Sequence, residues 1–363
     1  MLSKACIVGT YQRKLEAMVE AAPDLVLTVV VPPFWRDERG LTRLERAYTT
    51  GYQMEVVPIA LNGSFHLHWY PGLHKVLRRV KPDLVHIDEE PYNLATYRAN
   101  VLARRSHAKT LWFSWQNLQR HYPPPFSWFE HYNLRRVDHA LVGSQTAARV
   151  WRAKGYVGPL SVVPQFGVDP GTFRPPDRPR SDGPVHIVYV GRLVPEKGVD
   201  LLLNALVGID GAWSATILGS GPAERGLRET VAALGLDNRV TFRPWLPSAA
   251  MPDFYRQVDV LVLPSRSRTN WIEQFGRVLI EAMACEVAVV GADTGEIPHV
   301  ISDAGLHFPE GDAETLHRHL CQLVASVALR RQLGAAGRAR ILQHYTQQQV
   351  ATATVAVYRE MLA

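Results

Sequence analysis

Short runs of β-branched and aliphatic residues alternate along the chain with longer stretches whose apolar positions recur at helical spacing. This is the pattern of β-α-β units in which parallel strands are covered on both faces. In the first half it predicts strands at residues 5–8, 25–31, 55–59, 84–87, 110–113, 140–142 and 161–163, with helices at 92–105 and 145–154 among the segments between them. Residues 164–183 are dense in Pro and Gly and can continue neither element. A second series follows, with strands at 185–190, 214–218, 240–242, 260–263, 288–290 and 306–308, and helical pattern from Asp312 almost to Ala363. The fold class is therefore α/β, with two doubly wound domains in tandem: residues 1–165, a linker at 166–183, a second domain at 184–345, and a C-terminal helix at 346–363 packing back toward the first domain. Domains of this kind bind ligands at the carboxyl ends of their strands, here expected around an interdomain cleft, so function belongs on the loops that follow strands.

Composition adds exclusions. A chain of 363 residues, 47% apolar and 20% charged, is an ordinary globular protein of about two domains. Cys6, Cys285 and Cys321 form no C-x-x-C pair, so neither a disulfide framework nor a zinc finger is expected, and a reducing cytoplasm is the expected compartment. Gly9, Gln12 and Arg13 break the first apolar run, so a signal peptide is not expected, and no apolar run approaches the roughly 20 residues a bilayer requires. Residues 1–170 carry 21 Lys plus Arg against 14 Asp plus Glu, whereas the remainder carries 19 against 20. The basic surplus of the first half suits an anionic acceptor or peripheral contact with the inner face of a membrane, as well as a plain solvated surface. Nucleic acid is not expected, because no Lys/Arg-rich run is interleaved with aromatic residues. His66, His68 and His74 have no companion acids at ligand spacing, so no metal is expected.

Three constellations in the second half carry chemistry. Val190-Gly-Arg-Leu-Val-Pro-Glu-Lys-Gly198 is a strand end, a Gly turn, and then Arg192 and Lys197 before a helix. A planar guanidinium and a point-charge ammonium together suit a departing diphosphate, although two solvated cations at a turn give the same pattern. Ile217-Leu-Gly-Ser-Gly-Pro222 is again strand then Gly-rich turn, with Gly219 permitting close backbone approach, but it holds only part of a dinucleotide fingerprint. The third, residues 263–284, has a loop with Glu273 and a helix opening near Gly276, whose N–H groups face an anion. Glu281 lies a turn and a half into that helix among Ile280, Ala282, Met283 and Ala284, where a carboxylate needs a partner. In the first half Asp88, Glu89 and Glu90 stand in a row at a strand's carboxyl end. There they suit acceptor hydroxyls, a proton from the acceptor, or the capping of the next helix. The stretch Tyr122-Pro-Pro-Pro-Phe126 before Trp128 and Phe129 reads as a rigid turn with core aromatics, or as an apolar loop against acceptor or membrane.

These residues resemble the retaining glycosyltransferases of the GT-B fold, the large class that includes sucrose synthase and the bacterial phosphatidylinositol mannosyltransferases. The likeness covers most of the second domain and Val163-Pro-Gln-Phe-Gly-Val-Asp169. It implies two Rossmann-like domains facing a cleft, a nucleotide-sugar donor held mainly by the second and an acceptor held mainly by the first. It also implies that Arg192 and Lys197 take the diphosphate, Glu281 the ribose and Glu273 the donor sugar. Gln274, Phe275, Gly276, Arg277 and Val278 would line the phosphates and sugar, Arg243 and Pro244 the base, and Gly219 and Gly9 would approach the donor. Val85-His-Ile-Asp-Glu-Glu-Pro91 is similar to a His-x-His-Glu-Pro stretch of some relatives. Two departures stand out. Only Gly9 remains of a Gly-Gly loop, and Phe113-Ser-Trp-Gln-Asn117 stands where many relatives carry a His, leaving that role to Trp115, Gln116 or Asn117. The activity implied is metal-independent, retaining transfer of a sugar from a UDP- or GDP-linked donor to a hydroxyl, with no cofactor beyond that co-substrate. A sugar-nucleotide epimerase or hydrolase, or a non-catalytic nucleotide-sugar-binding subunit, is the alternative.

Overall fold

A computed structural model describes residues 1–37, 40–177 and 183–363, so residues 178–182 of the expected linker lie outside the described residues. The chain divides into two units, Met1–Gly167 together with Gln347–Ala363, and Val168–Thr346.

The first unit contains strands β1 (Thr28–Val31), β2 (Phe34–Asp37), β3 (Gly40–Arg43), β4 (Gln53–Val56), β5 (Leu84–Ile87), β6 (Lys109–Ser114), β7 (His139–Val142) and β8 (Leu160–Val162). Its helices are α1 (Arg13–Ala21), α2 (Leu73–Val80), α3 (Leu94–Arg105), α4 (Phe126–Arg136) and α5 (Gln145–Ala153). β1 pairs with β4, and β5 to β8 pair in chain order, all parallel. Between β1 and β5 runs the extreme N-terminus: Leu2 bridges Val30 on one side and Ile87 on the other. The strand expected at 5–8 does not form. Ser3 Oγ accepts the Cys6 amide at 3.3 Å, and residues Ala5–Ile7 close into a 3₁₀ turn in place of a ladder. β4 lies earlier than the pattern suggested, at Gln53–Val56, because Pro58 has no N–H with which to extend the pairing. β1 begins only at Thr28, after an 86% exposed Val26.

The second unit contains β9 (Val185–Val190), β10 (Trp213–Leu218), β11 (Val240–Arg243), β12 (Val260–Leu263), β13 (Ala288–Ala292) and β14 (Leu306–Phe308). With them go α6 (Val199–Leu206), α7 (Glu224–Ala233), α8 (Met251–Tyr255), α9 (Arg277–Ala284), α10 (Ile297–Ile301), α11 (Ala313–Ala325) and α12 (Val327–His344). Among the described residues its sheet has the order β11-β10-β9-β12-β13-β14, all parallel, which is the doubly wound order with its reversal between β9 and β12. β12 and β13 are buried at every position, as strands covered on both faces must be.

The last helix, α13 (Gln347–Leu362), returns to the first unit. Val350, Ala351, Val355 and Tyr358 close one core cluster there with Ala17 and Met18 of α1 and Leu111 and Phe113 of β6.

Candidate functional site

The point of strand reversal in the second unit gathers two loops. After β9 the chain turns through Gly191 and Arg192 into a 3₁₀ turn at Pro195–Lys197, and Gly198 opens α6 with φ 66°. A Cβ on Gly198 would stand 1.9 Å from the Pro264 carbonyl oxygen beyond β12, so only glycine lets the two loops meet. The meeting brings Lys197 to Glu273. Lys197 Nζ donates to Glu273 Oε2 at 2.6 Å, Ser265 Oγ donates to the same oxygen at 3.0 Å, and the ammonium lies 4.8 Å from the Trp271 ring centroid. Both charged side chains are largely buried, 18% and 10% exposed.

Three residues on, Gly276 adopts φ 76° and starts α9. One turn into that helix Arg277 Nε pairs with Glu281 Oε1 at 2.9 Å, while Tyr255 donates its hydroxyl to Glu281 Oε2 at 3.3 Å. Burial raises the Glu281 pKa, with Arg277 and the Tyr255 hydroxyl opposing it. Phe275 is buried against the Tyr345 ring, Val278 is half-buried and Gln274 is exposed. Arg192 and Pro244 are exposed on loops and Arg243 is exposed as the last residue of β11, all at the same end of the sheet. Gly219 has a packing reason of its own: a Cβ there would lie 1.8 Å from the Gly191 carbonyl oxygen. Tyr255 joins this site from outside any motif, as a partner chosen across the fold, whereas Ser265 and Trp271 lie in the same 263–284 segment as Glu273, where their residue types alone did not mark a role.

Gly9 belongs to the first unit. Its amide donates to Glu45 Oε2 at 2.6 Å, and a Cβ would press on the same carboxylate at 2.7 Å. The three acids after β5 diverge sharply. Asp88 accepts Ser3 Oγ at 2.5 Å and Gln165 Nε2 at 2.8 Å, and burial raises its pKa against the pull of Lys14 and these hydrogen bonds. Glu89 is buried too, but Lys4 at 3.5 Å and His68 at 3.4 Å outweigh that burial and hold it down to about 2. Glu90 is raised to about 7, chiefly by burial, although it accepts Ser114 Oγ at 2.5 Å and the Trp115 amide at 2.8 Å. Trp115 Nε1 donates to Gln165 Oε1 at 2.8 Å, so Gln165 ties Asp88 to the loop after β6. Gln116 is buried with its side-chain amide on the Leu118 carbonyl at 2.9 Å, and Asn117 is buried beside it. Among the described residues no helix is long and apolar enough to cross a membrane, and no three His, Cys, Asp or Glu side chains gather as a metal site.

Residues 173–340 match the family model of glycosyl transferases group 1. The chain is 32% identical to a D-inositol 3-phosphate glycosyltransferase of Segniliparus rotundus, over 56% of this chain and 47% of that protein. It is 30% identical to a GDP-mannose-dependent α-(1-6)-phosphatidylinositol monomannoside mannosyltransferase of Mycolicibacterium smegmatis, over 56% of this chain and 59% of that one. The chain spans about half the length of the first of these relatives. Among solved structures it is similar to a glycosyltransferase from Rickettsia africae, with a TM-score of 0.72 at 17% identity, over 99% of this chain and 97% of that one. That likeness shows the fold, GT-B, with two Rossmann-like domains.

Proposed function

We propose, from the premise that residues 173–340 form a glycosyl transferases group 1 domain, that the chain transfers a sugar from a nucleoside-diphosphate donor to an acceptor hydroxyl with retention of the anomeric configuration. The observation that carries this reading is the Lys197–Glu273 pair at the strand reversal of the second unit, a cation for a diphosphate beside a carboxylate for sugar hydroxyls. The Mycolicibacterium smegmatis relative, named as GDP-mannose-dependent, supports a sugar-nucleotide donor.

In the reaction, the bond from the anomeric carbon to the β-phosphate oxygen breaks and the acceptor oxygen bonds to that carbon on the same face. The acceptor proton passes to the departing phosphate, so the products are a glycoside and a nucleoside diphosphate. Lys197 spends one of its three donors on Glu273 and turns the others to the leaving group, with Arg192 adding a second charge. Fixed charges aimed at a developing anion are the largest lever on such a barrier, and they make the proposed chemistry metal-independent. Backbone N–H groups from Phe275 to Val278 at the start of α9 take phosphate oxygens. Glu281 keeps unused lone pairs beyond Arg277 and Tyr255 and accepts ribose hydroxyls, Arg243 and Pro244 flank the base, and Glu273 holds the sugar. On the first unit, Asp88, Glu89 and Glu90 with Trp115, Gln116 and Asn117 hold the acceptor.

One observation favours a second reading, a nucleotide-sugar-binding subunit without turnover: the Gly9 amide is already given to Glu45. Incubation with UDP- and GDP-sugars and a panel of hydroxyl acceptors separates the two. Acceptor-dependent release of nucleoside diphosphate is expected for the transferase, and donor binding without release would overturn it. Release without any acceptor would identify a hydrolase.

A further inference from the structure

α4 turns two different faces. Inward, Phe129 stacks on Tyr97 of α3 with ring centroids 5.0 Å apart, Asn133 donates to the Pro91 carbonyl at 2.7 Å, and Glu130 pairs with Lys154 at 2.5 Å. Outward, Trp128, His131 and Arg135 recur at i, i+3 and i+7 and with Tyr132 and Arg136 line one depression, and Trp128 is 67% exposed. Arg104 Nη1 donates to the Arg136 carbonyl at 2.7 Å, which sets the end of α3, with exposed Arg104 and Arg105, beside the exposed Arg135 and Arg136. No acid offsets them from within α4, since Glu130, its single acidic residue, faces Lys154. The neighbouring Asp138 is turned inward, accepting the Thr110 amide at 2.7 Å and its hydroxyl at 3.2 Å.

We propose that this face docks on the surface of an anionic bilayer, with the Trp128 indole at headgroup level and the four arginines against lipid phosphates. A tryptophan with its ring in solvent beside unopposed guanidinium groups matches the amphipathic, negatively charged boundary of a membrane. The same helix starts at Phe126, whose ring lies 5.2 Å from His66, itself 5.5 Å from Tyr92, two residues beyond Glu90. The first residue of α4 is thus linked through His66 and Tyr92 to the segment that carries the acid cluster of the first unit, toward which an acceptor carried in that bilayer would be presented. Docking needs neither donor nor turnover, so it stands or falls apart from the transferase reading.

The test is co-sedimentation of the full chain with phosphatidylcholine vesicles with and without phosphatidylglycerol. Retention is expected on the mixed vesicles alone, weakening with added salt. Each arginine near such a surface is worth about fivefold in partitioning, so Arg135→Gln with Arg136→Gln is expected to lose about 30-fold. Trp128→Ala lowers retention further. Arg225→Gln with Arg331→Gln removes equal charge from exposed sites of the second unit and is expected to leave retention unchanged. Equal binding to neutral vesicles, no binding at all, or equal losses in the two arginine pairs would overturn the proposal. Circular dichroism and an unchanged unfolding midpoint confirm that the variants are folded.

Discussion

At single residues of both units, charge is held in place by the fold. Lys197 sits 2.6 Å from Glu273 and is fixed before any ligand arrives. Lys197→Ala is expected to cut turnover at least about 100-fold, in line with the roughly 2.7–4 kcal/mol lost when one oriented donor is removed. A variant with native circular dichroism and activity within a few-fold of wild type would contradict the role. The acids of the first unit give opposite pH dependences. The folded pKa of Glu90, about 7, lies above its ordinary 4.5, so its contribution to stability is full below about 4.5 and is lost as pH rises toward 7. Urea unfolding at about pH 5 and about pH 8 should show wild type losing up to about 3 kcal/mol more than Glu90→Gln, and parallel losses would refute the assignment. For Glu89, held near 2, the contribution is present above 4.5 and is lost as pH falls through about 2, so Glu89→Gln should flatten the acid limb of the stability profile.

At the scale of elements, glycines and long-range partners shape the loops of the candidate site. Gly198 and Gly208 share positive φ, but only Gly198 has a backbone oxygen where a Cβ would go, whereas the space around Gly208 is open to 4 Å. Gly208→Ala should cost about 1 kcal/mol. Gly198→Ala should cost a few kcal/mol more, because the loops after β9 and β12 must part. Similar unfolding midpoints in urea for the two variants would remove Gly198 as the joint. The same division explains what could be read from the chain. β9 and β12 stand where their apolar runs predicted, since a strand buried on both faces announces itself without its neighbours. The turn at Ala5–Ile7 had a strand's composition, and the Ser3 hydroxyl that accepts the Cys6 amide there leaves no mark on the periodicity. The aromatic-rich α4 and the hairpin of β2 and β3 have no clean periodicity to betray them. In the second-unit site, Lys197 and Glu273 were legible as residue types on loops after strands. The contact of Lys197 with Glu273, 76 residues apart, and that of Tyr255 with Glu281 were set by how the elements pack, while Ser265 reaches Glu273 within one loop.

For the whole molecule, a chain that crosses from the first unit to the second and back makes the first unit depend on its last helix. Tyr358 of α13 is buried among residues of α1 and β6, and its hydroxyl lies 2.6 Å from His86 Nδ1. Tyr358→Ala is therefore expected to destabilise the first unit by about 3–5 kcal/mol. Scanning calorimetry should show its transition moving while that of Val168–Thr346 stays, and movement of both together would contradict independent cores. Whether the second unit holds a nucleoside diphosphate on Lys197 and Glu281 is decided by thermal unfolding against UDP, GDP and their sugars. A ligand at 100 times its dissociation constant adds about 2.7 kcal/mol of stability. One diphosphate series is expected to raise the midpoint of the Val168–Thr346 transition, and Lys197→Ala and Glu281→Ala to abolish the rise. An unmoved midpoint at saturating concentrations of every nucleotide would contradict it.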